Sequence, residues 1–90
     1  MRGPSERRSI ENTEGTVRRV DPVGRVVEVR VGGVTINFDV RPDCVITLRG
    51  ERVKLRMLEP RDRVRVTYTE YQGTRVADAV EVSTAGPAPV

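Results

Sequence analysis

Ninety residues and 10.1 kDa make room for one small domain, and 16 basic against 13 acidic side chains leave a net charge of +3. Histidine is absent and Cys44 is the sole cysteine, which excludes Ser-His-Asp and Cys-His catalysis, imidazole metal ligation, an intrachain disulfide and any multi-thiolate site. Hydrophobic residues make up 37% of the chain, with no apolar run near the roughly 20 residues of a spanning helix, yet valine is too frequent for a chain disordered throughout.

Residues 1–13 are polar and arginine-bearing, with Ile10 their one aliphatic side chain, and read as a flexible lead-in. They contain no apolar core of a secretory signal, so the expected location is cytoplasmic by default, or exported if a leader has been removed. Residues 14–82 form the expected β-barrel domain, and 83–90 a Pro/Ala-rich tail.

Inside the domain, period-2 alternation dominates. Gly15–Val20 is the first expected strand, closed by the Asp21-Pro22-Val23-Gly24 turn. Arg25–Val31 follows, with Val27, Val29 and Val31 on one face and Glu28 and Arg30 on the other. Gly32-Gly33 marks a two-residue hairpin. The next strand puts Val34, Ile36, Phe38 and Val40 on one face, and Arg41-Pro42-Asp43 breaks the pattern. Cys44–Leu48 and Arg52–Met57 read as a short hairpin around Arg49-Gly50-Glu51. Leu58-Glu59-Pro60-Arg61-Asp62 reads as a turn, with a single helical turn just before the proline. Arg63–Glu70 is a long strand with Val64, Val66 and Tyr68 inward, and Gln72-Gly73 leads to Thr74–Val82. In that last strand the alternation slips once between Ala77 and Val80, which predicts a β-bulge. The fold class expected is all-β: a small antiparallel five- or six-stranded OB-like β-barrel with disordered termini, since closure hides edges that a valine-rich sheet would expose.

Several segments carry a resemblance. Glu14-Gly15-Thr16-Val17 with Val20-Asp21, then Phe38-Asp39-Val40, Leu58-Glu59-Pro60-Arg61-Asp62-Arg63-Val64 and Arg75-Val76-Ala77-Asp78-Ala79-Val80-Glu81-Val82 together resemble a bacterial family of domains of unknown function that form small OB-like β-barrels. The resemblance covers about residues 14–82. It implies no catalytic residues, and members that are often exported or attached to larger envelope proteins. At Arg61 that family usually has glycine, so a positive φ there would strain this chain. Glu14–Val17 and Asp62–Val66 also resemble bacterial translation initiation factor one and S1-type RNA-binding domains. Small copper-binding barrels share the architecture, but this chain lacks their histidine, and Met57 and Met1 do not replace it.

Charge is unevenly spread: residues 1–13 sum to +1, 14–48 to zero, 49–65 to +4 and 66–90 to −2. If Val53, Leu55 and Met57 point inward, then Arg52, Lys54 and Arg56 point outward together, as do Arg61, Arg63 and Arg65. With Tyr71 in a turn, these seven are the candidate anion or nucleic-acid surface, because guanidinium groups grip phosphate and carboxylate bidentately. The competing reading is that they solvate the barrel, paired with Glu28, Glu70 or Glu81 across strands. Phe38 and Tyr68 fall inward, which leaves one loop ring and a poor platform for stacking bases. Asp39, Asp43, Glu59 and Asp62 read as structural or solvated carboxylates, and Cys44 as a small half-buried hydrophobe. No catalytic, cofactor or metal residue emerges. The sequence points to a non-enzymatic binding, assembly or accessory module with a protein partner or self-association. The alternative is an RNA- or ssDNA-binding OB domain using segment 49–65. No small-molecule substrate is inferred.

Overall fold

The computed structural model describes residues 10–84. Six strands run in order β1 (Ile10–Asp21), β2 (Val26–Val31), β3 (Val34–Leu48), β4 (Glu51–Arg52), β5 (Arg63–Tyr71) and β6 (Thr74–Thr84), with one 3-10 turn at Leu55–Met57. The sheet order is β2-β1-β5-β6-β3-β4, and an added β2–β3 pairing closes it into a five-stranded barrel with β4 as a flap on β3. The register is continuous around the barrel: Asp21 pairs with Val26, Val26 with Asp39, Asp39 with Val76, Val76 with Thr69, and Thr69 with Ile10. One circuit thus returns to β1 a full 11 residues earlier, from Asp21 to Ile10. That offset is the shear that tilts the strands of a small closed barrel.

The all-β OB-like expectation holds, with one refinement. The β3–β6 pairing is parallel, which alternation cannot report because inward and outward faces repeat identically in either direction. The paired region is also wider than expected, since β1 begins at Ile10 within the anticipated lead-in and β6 runs to Thr84. The rest of both expected end segments, 1–9 and 85–90, lies outside the described residues.

The alternating valines do form the core. Val17, Val27, Val29, Phe38, Val40, Ile46, Val64, Val66, Ala77, Val80 and Val82 are buried, and Phe38 meets Tyr68 edge-on at 5.1 Å between ring centroids. Gly15 marks where β1, already paired with β5, also takes on β2. A Cβ there would run into the Arg30 carbonyl and the Val29 and Val31 side chains, so only glycine lets the strand coil so closely.

Two local expectations are corrected. The segment Arg52–Met57 is not a strand, because β4 ends at Arg52, Val53 N–H makes one more bond to the Ile46 carbonyl, and the chain then coils. With three residues per 3-10 turn, Leu55 and Leu58 share a face and are buried, whereas Met57, expected inward, is 52% exposed. The 3-10 turn is the single helical turn expected ahead of Pro60, and its two leucines add the segment's own cover to the core. The break at Arg41-Pro42-Asp43 does not end β3 either; the strand continues to Leu48 through an irregularity between Val40 and Val45. Arg25 supports this bend. Its Nε and Nη2 donate to the carbonyls of Val40 and Arg41, just before β2 begins and beyond the last β2–β3 pair, Val26–Asp39.

Candidate functional site

The topology gathers most of segment 49–65 at one end of the barrel. The β3–β4 hairpin carries Arg49 and Arg52 there, because Thr47 pairs with both Arg52 and Glu81, and Leu48 with both Glu51 and Val82. β5 starts at the same level, with Arg63 opposite Thr16 and Thr84. The intervening chain, holding Lys54, Arg56 and Arg61, crosses this end and is tied to β1 by Val17 N–H to the Asp62 carbonyl and Arg61 N–H to the Val17 carbonyl, both 2.8 Å.

Arg52, Lys54, Arg56, Arg61, Arg63 and Arg65 are all exposed, as expected, but they divide into two groups. Arg65 lies in a ladder row that reads Arg52, Thr47, Glu81, Arg65, Glu14 across five strands. It is satisfied there: its Nη2 and Nε donate to Glu14 Oε2 at 2.6 and 3.1 Å. The hydrogen bond and charge of Arg65 hold the Glu14 carboxyl below its ordinary range. Arg63, two residues earlier, has no acidic residue at either ladder position. Among the described residues the ion pairs are Arg18 and Arg19 to Glu28 and Arg65 to Glu14, so none involves Arg49, Arg52, Lys54, Arg56, Arg61 or Arg63.

The structure adds one cation that the linear charge count missed. Arg30 pairs with Thr16, which also pairs with Arg63, so the two arginines sit two strand spacings apart, roughly 10 Å. Only the β1 register brings them together, so no sequence spacing announces it. Tyr71 goes the other way. It is 56% exposed at the far end of β5, about 26 Å along the strand from Arg63, and is not part of this surface.

Two of the cations hold left-handed backbone. Glu59-Pro60-Arg61-Asp62 closes with Asp62 N–H to the Glu59 carbonyl at 3.1 Å, and Arg61 has φ 80°. Proline second and a positive φ third is the type II turn, whose third position favours glycine. Asp62 is 5% exposed and braces the turn by accepting from Glu59 N–H at 2.9 Å through Oδ2, which makes this carboxylate structural. Arg49, with φ 55°, precedes Gly50 in the two-residue β3–β4 hairpin, a position that asparagine, aspartate or glycine favours.

A second feature lies at the opposite end, on β3, β5 and β6. Arg41, Thr69, Tyr71, Val76 and Asp78 line a cleft of about 220 Å³. The slip anticipated between Ala77 and Val80 is real: Ala77 and Ala79 pair with Tyr68 and Thr67, which leaves Asp78 as the bulged residue. Cys44 lies in the β3 irregularity facing it, buried, and that burial pushes the thiol up to about 11.

Soft metal ions favour thiolate, thioether and imidazole ligands. Among the described residues the soft donors are a protonated buried thiol at Cys44 and an exposed thioether at Met57 on a different element. No group of three or more His, Cys, Asp or Glu side chains converges among the described residues. The donors of the described residues do not converge on such an ion.

No family model matches the chain, and no curated protein matches it either. The resemblance to a bacterial domain family therefore stands only at its coarser level, a small OB-like barrel. Solved structures of CusF share that architecture. Apo CusF from Escherichia coli aligns at 12% identity over 87% of this chain and 92% of its own, with a TM-score of 0.69. Silver(I)-bound CusF from Escherichia coli aligns at 11% identity over 89% and 99%, with a TM-score of 0.70. A tryptophan-to-alanine variant of the same protein with copper(II) aligns at 12% over 83% and 92%, with a TM-score of 0.67. At such low identity the likeness defines the fold, a closed OB-like β-barrel.

Proposed function

We propose that this chain is a non-enzymatic binding module that docks an acidic face of a protein partner on the cationic end of its barrel. The observation that carries the reading is the cluster of Arg49, Arg52, Lys54, Arg56, Arg61 and Arg63 at one end, without an ion pair among the described residues. Arg18, Arg19 and Arg65 have found carboxylates within 4 Å, and fewer cations without one lie away from this end, among them Arg25, Arg41 and Arg75. Arginine surfaces of this kind take carboxylate pairs bidentately and speed encounter with acidic partners.

A protein is favoured over a nucleic acid because the cationic end has no aromatic platform. Phe38 is buried, Tyr68 packs against it, and Tyr71 stands at the opposite end. The silver and copper in the CusF structures belong to that protein. With no histidine in this chain, they do not direct the reading here.

Fluorescence anisotropy with a labelled glutamate-rich peptide and a labelled single-stranded RNA, both at low salt, tests the proposal. The peptide is expected to bind, and Arg52→Glu with Arg63→Glu to weaken it at least tenfold. RNA binding at lower protein concentrations than the acidic peptide requires, or peptide binding indifferent to both reversals, would overturn it.

A further inference from the structure

Both ladders that flank β6 break at one residue. On the β5 side, Asp78 is skipped between the pairs Thr67–Ala79 and Tyr68–Ala77. On the β3 side, Val40 pairs with Ala77 and Val45 with Ala79, so four residues, 41–44, oppose Asp78 alone. A β-bulge re-aims the side chain of its extra residue, and bulges cluster beside binding sites. Here the double irregularity opens the cleft of about 220 Å³ lined by Arg41, Thr69, Tyr71, Val76 and Asp78.

The cleft's chemistry is specific. Asp78 is oriented by buried Thr69, whose hydroxyl donates to Asp78 Oδ2 at 2.8 Å. Arg41 is held from behind, its carbonyl accepting from Arg25 Nη2 at 2.9 Å. Although Arg41 and Asp78 line one cleft, no ion pair joins them within 4 Å. A cation and an anion kept apart across a shared space are complementary to a ligand that carries both charges. Tyr71, the exposed ring of the described residues, adds a face that attracts a cation. Val76 adds an apolar wall. The volume falls below the roughly 300–1,000 Å³ of drug-sized ligand sites, which limits the ligand to amino-acid size.

We propose that this cleft binds a small zwitterion of the α-amino acid class, its carboxylate on Arg41 and its ammonium between Asp78 and Tyr71. The site is independent of the cationic end described above.

Amide chemical-shift titrations of the full chain with L-leucine, N-acetyl-L-leucine and L-leucine methyl ester test this. L-Leucine is expected to give saturable shifts at the Tyr71, Val76 and Asp78 amides, and each blocked form to bind about tenfold or more weakly, having lost a charge-assisted contact. Arg41→Gln should erase the discrimination against the methyl ester, and Asp78→Asn, which can still accept from Thr69, that against the N-acetyl compound. Arg18→Gln, outside the cleft, should change neither. The absence of saturable shifts at these amides up to about 20 mM leucine, or equal binding of either blocked form, overturns the proposal.

Discussion

Replacing Arg61 by glycine should make this protein more stable while removing one of its exposed cations. Arg61 holds φ 80° at the third position of the Glu59–Asp62 turn, where its Cβ crowds the backbone. Left-handed backbone costs an L-residue roughly 1–2 kcal/mol, whereas glycine's extra freedom in the unfolded chain costs about 0.5–1 kcal/mol. Taking corresponding ends of the two ranges, the net gain is about 0.5–1 kcal/mol. For a domain of this size that corresponds to a rise of about 2–8 °C in melting temperature. Thermal and urea unfolding followed by circular dichroism read it, with Arg61→Ala as the control that deletes the same charge but keeps the Cβ. The glycine variant should melt above the native protein and the alanine variant should not. A glycine variant melting at or below the native temperature refutes the strain argument, and an equal gain from alanine assigns the effect to charge.

Three further outcomes follow from the same structure. Gly15→Ala should cost about 1–3 kcal/mol in urea unfolding, since the added methyl meets the Arg30 carbonyl and two valines; a neutral result would mean β1 can shift away. Cys44 should resist thiol reagents at pH 8 until the protein is unfolded. An unfolded thiol starts to lose its proton near 9, while the folded one holds it to about 11, so stability should fall as pH rises through that window and Cys44→Ala should remove that part of the slope. Glu14, followed by carboxyl NMR, should titrate below an ordinary glutamate and move back up in Arg65→Gln; an unchanged titration would deny the pair.

Much of this fold was legible because valine alternation encodes which face is buried, and a barrel buries one face of every strand. The hairpins at Gly32-Gly33 and Gln72-Gly73 and the bulge near Asp78 were readable for the same local reason. What stayed hidden depends on pairing. The parallel β3–β6 contact, the continuation of β1 back to Ile10 against β5, and the meeting of Arg30 with Arg63 all arise from register between distant segments. At Leu55–Met57 the alternation misled, because an apolar residue at every second position there is taken up by a three-residue turn that buries Leu55 and Leu58 and turns Met57 out. The exposure of the candidate cations was legible, yet the split between Arg65, ion-paired to Glu14, and Arg63 needed the positions of Glu14 and Glu81. Asp78 was passed over although the slip in alternation marked its position, since periodicity shows where a strand is irregular and not which chemistry the irregularity exposes.

Binding at the cationic end should depend on where the cations are, not on net charge. Two double variants with the same charge change separate these: Arg52→Glu with Arg63→Glu at the cationic end, and Arg19→Glu with Arg75→Glu elsewhere on the barrel. Measured against a glutamate-rich peptide at one fixed ionic strength, the first pair should lose at least tenfold in affinity and the second should stay within about twofold. Equal losses from both pairs would contradict the account.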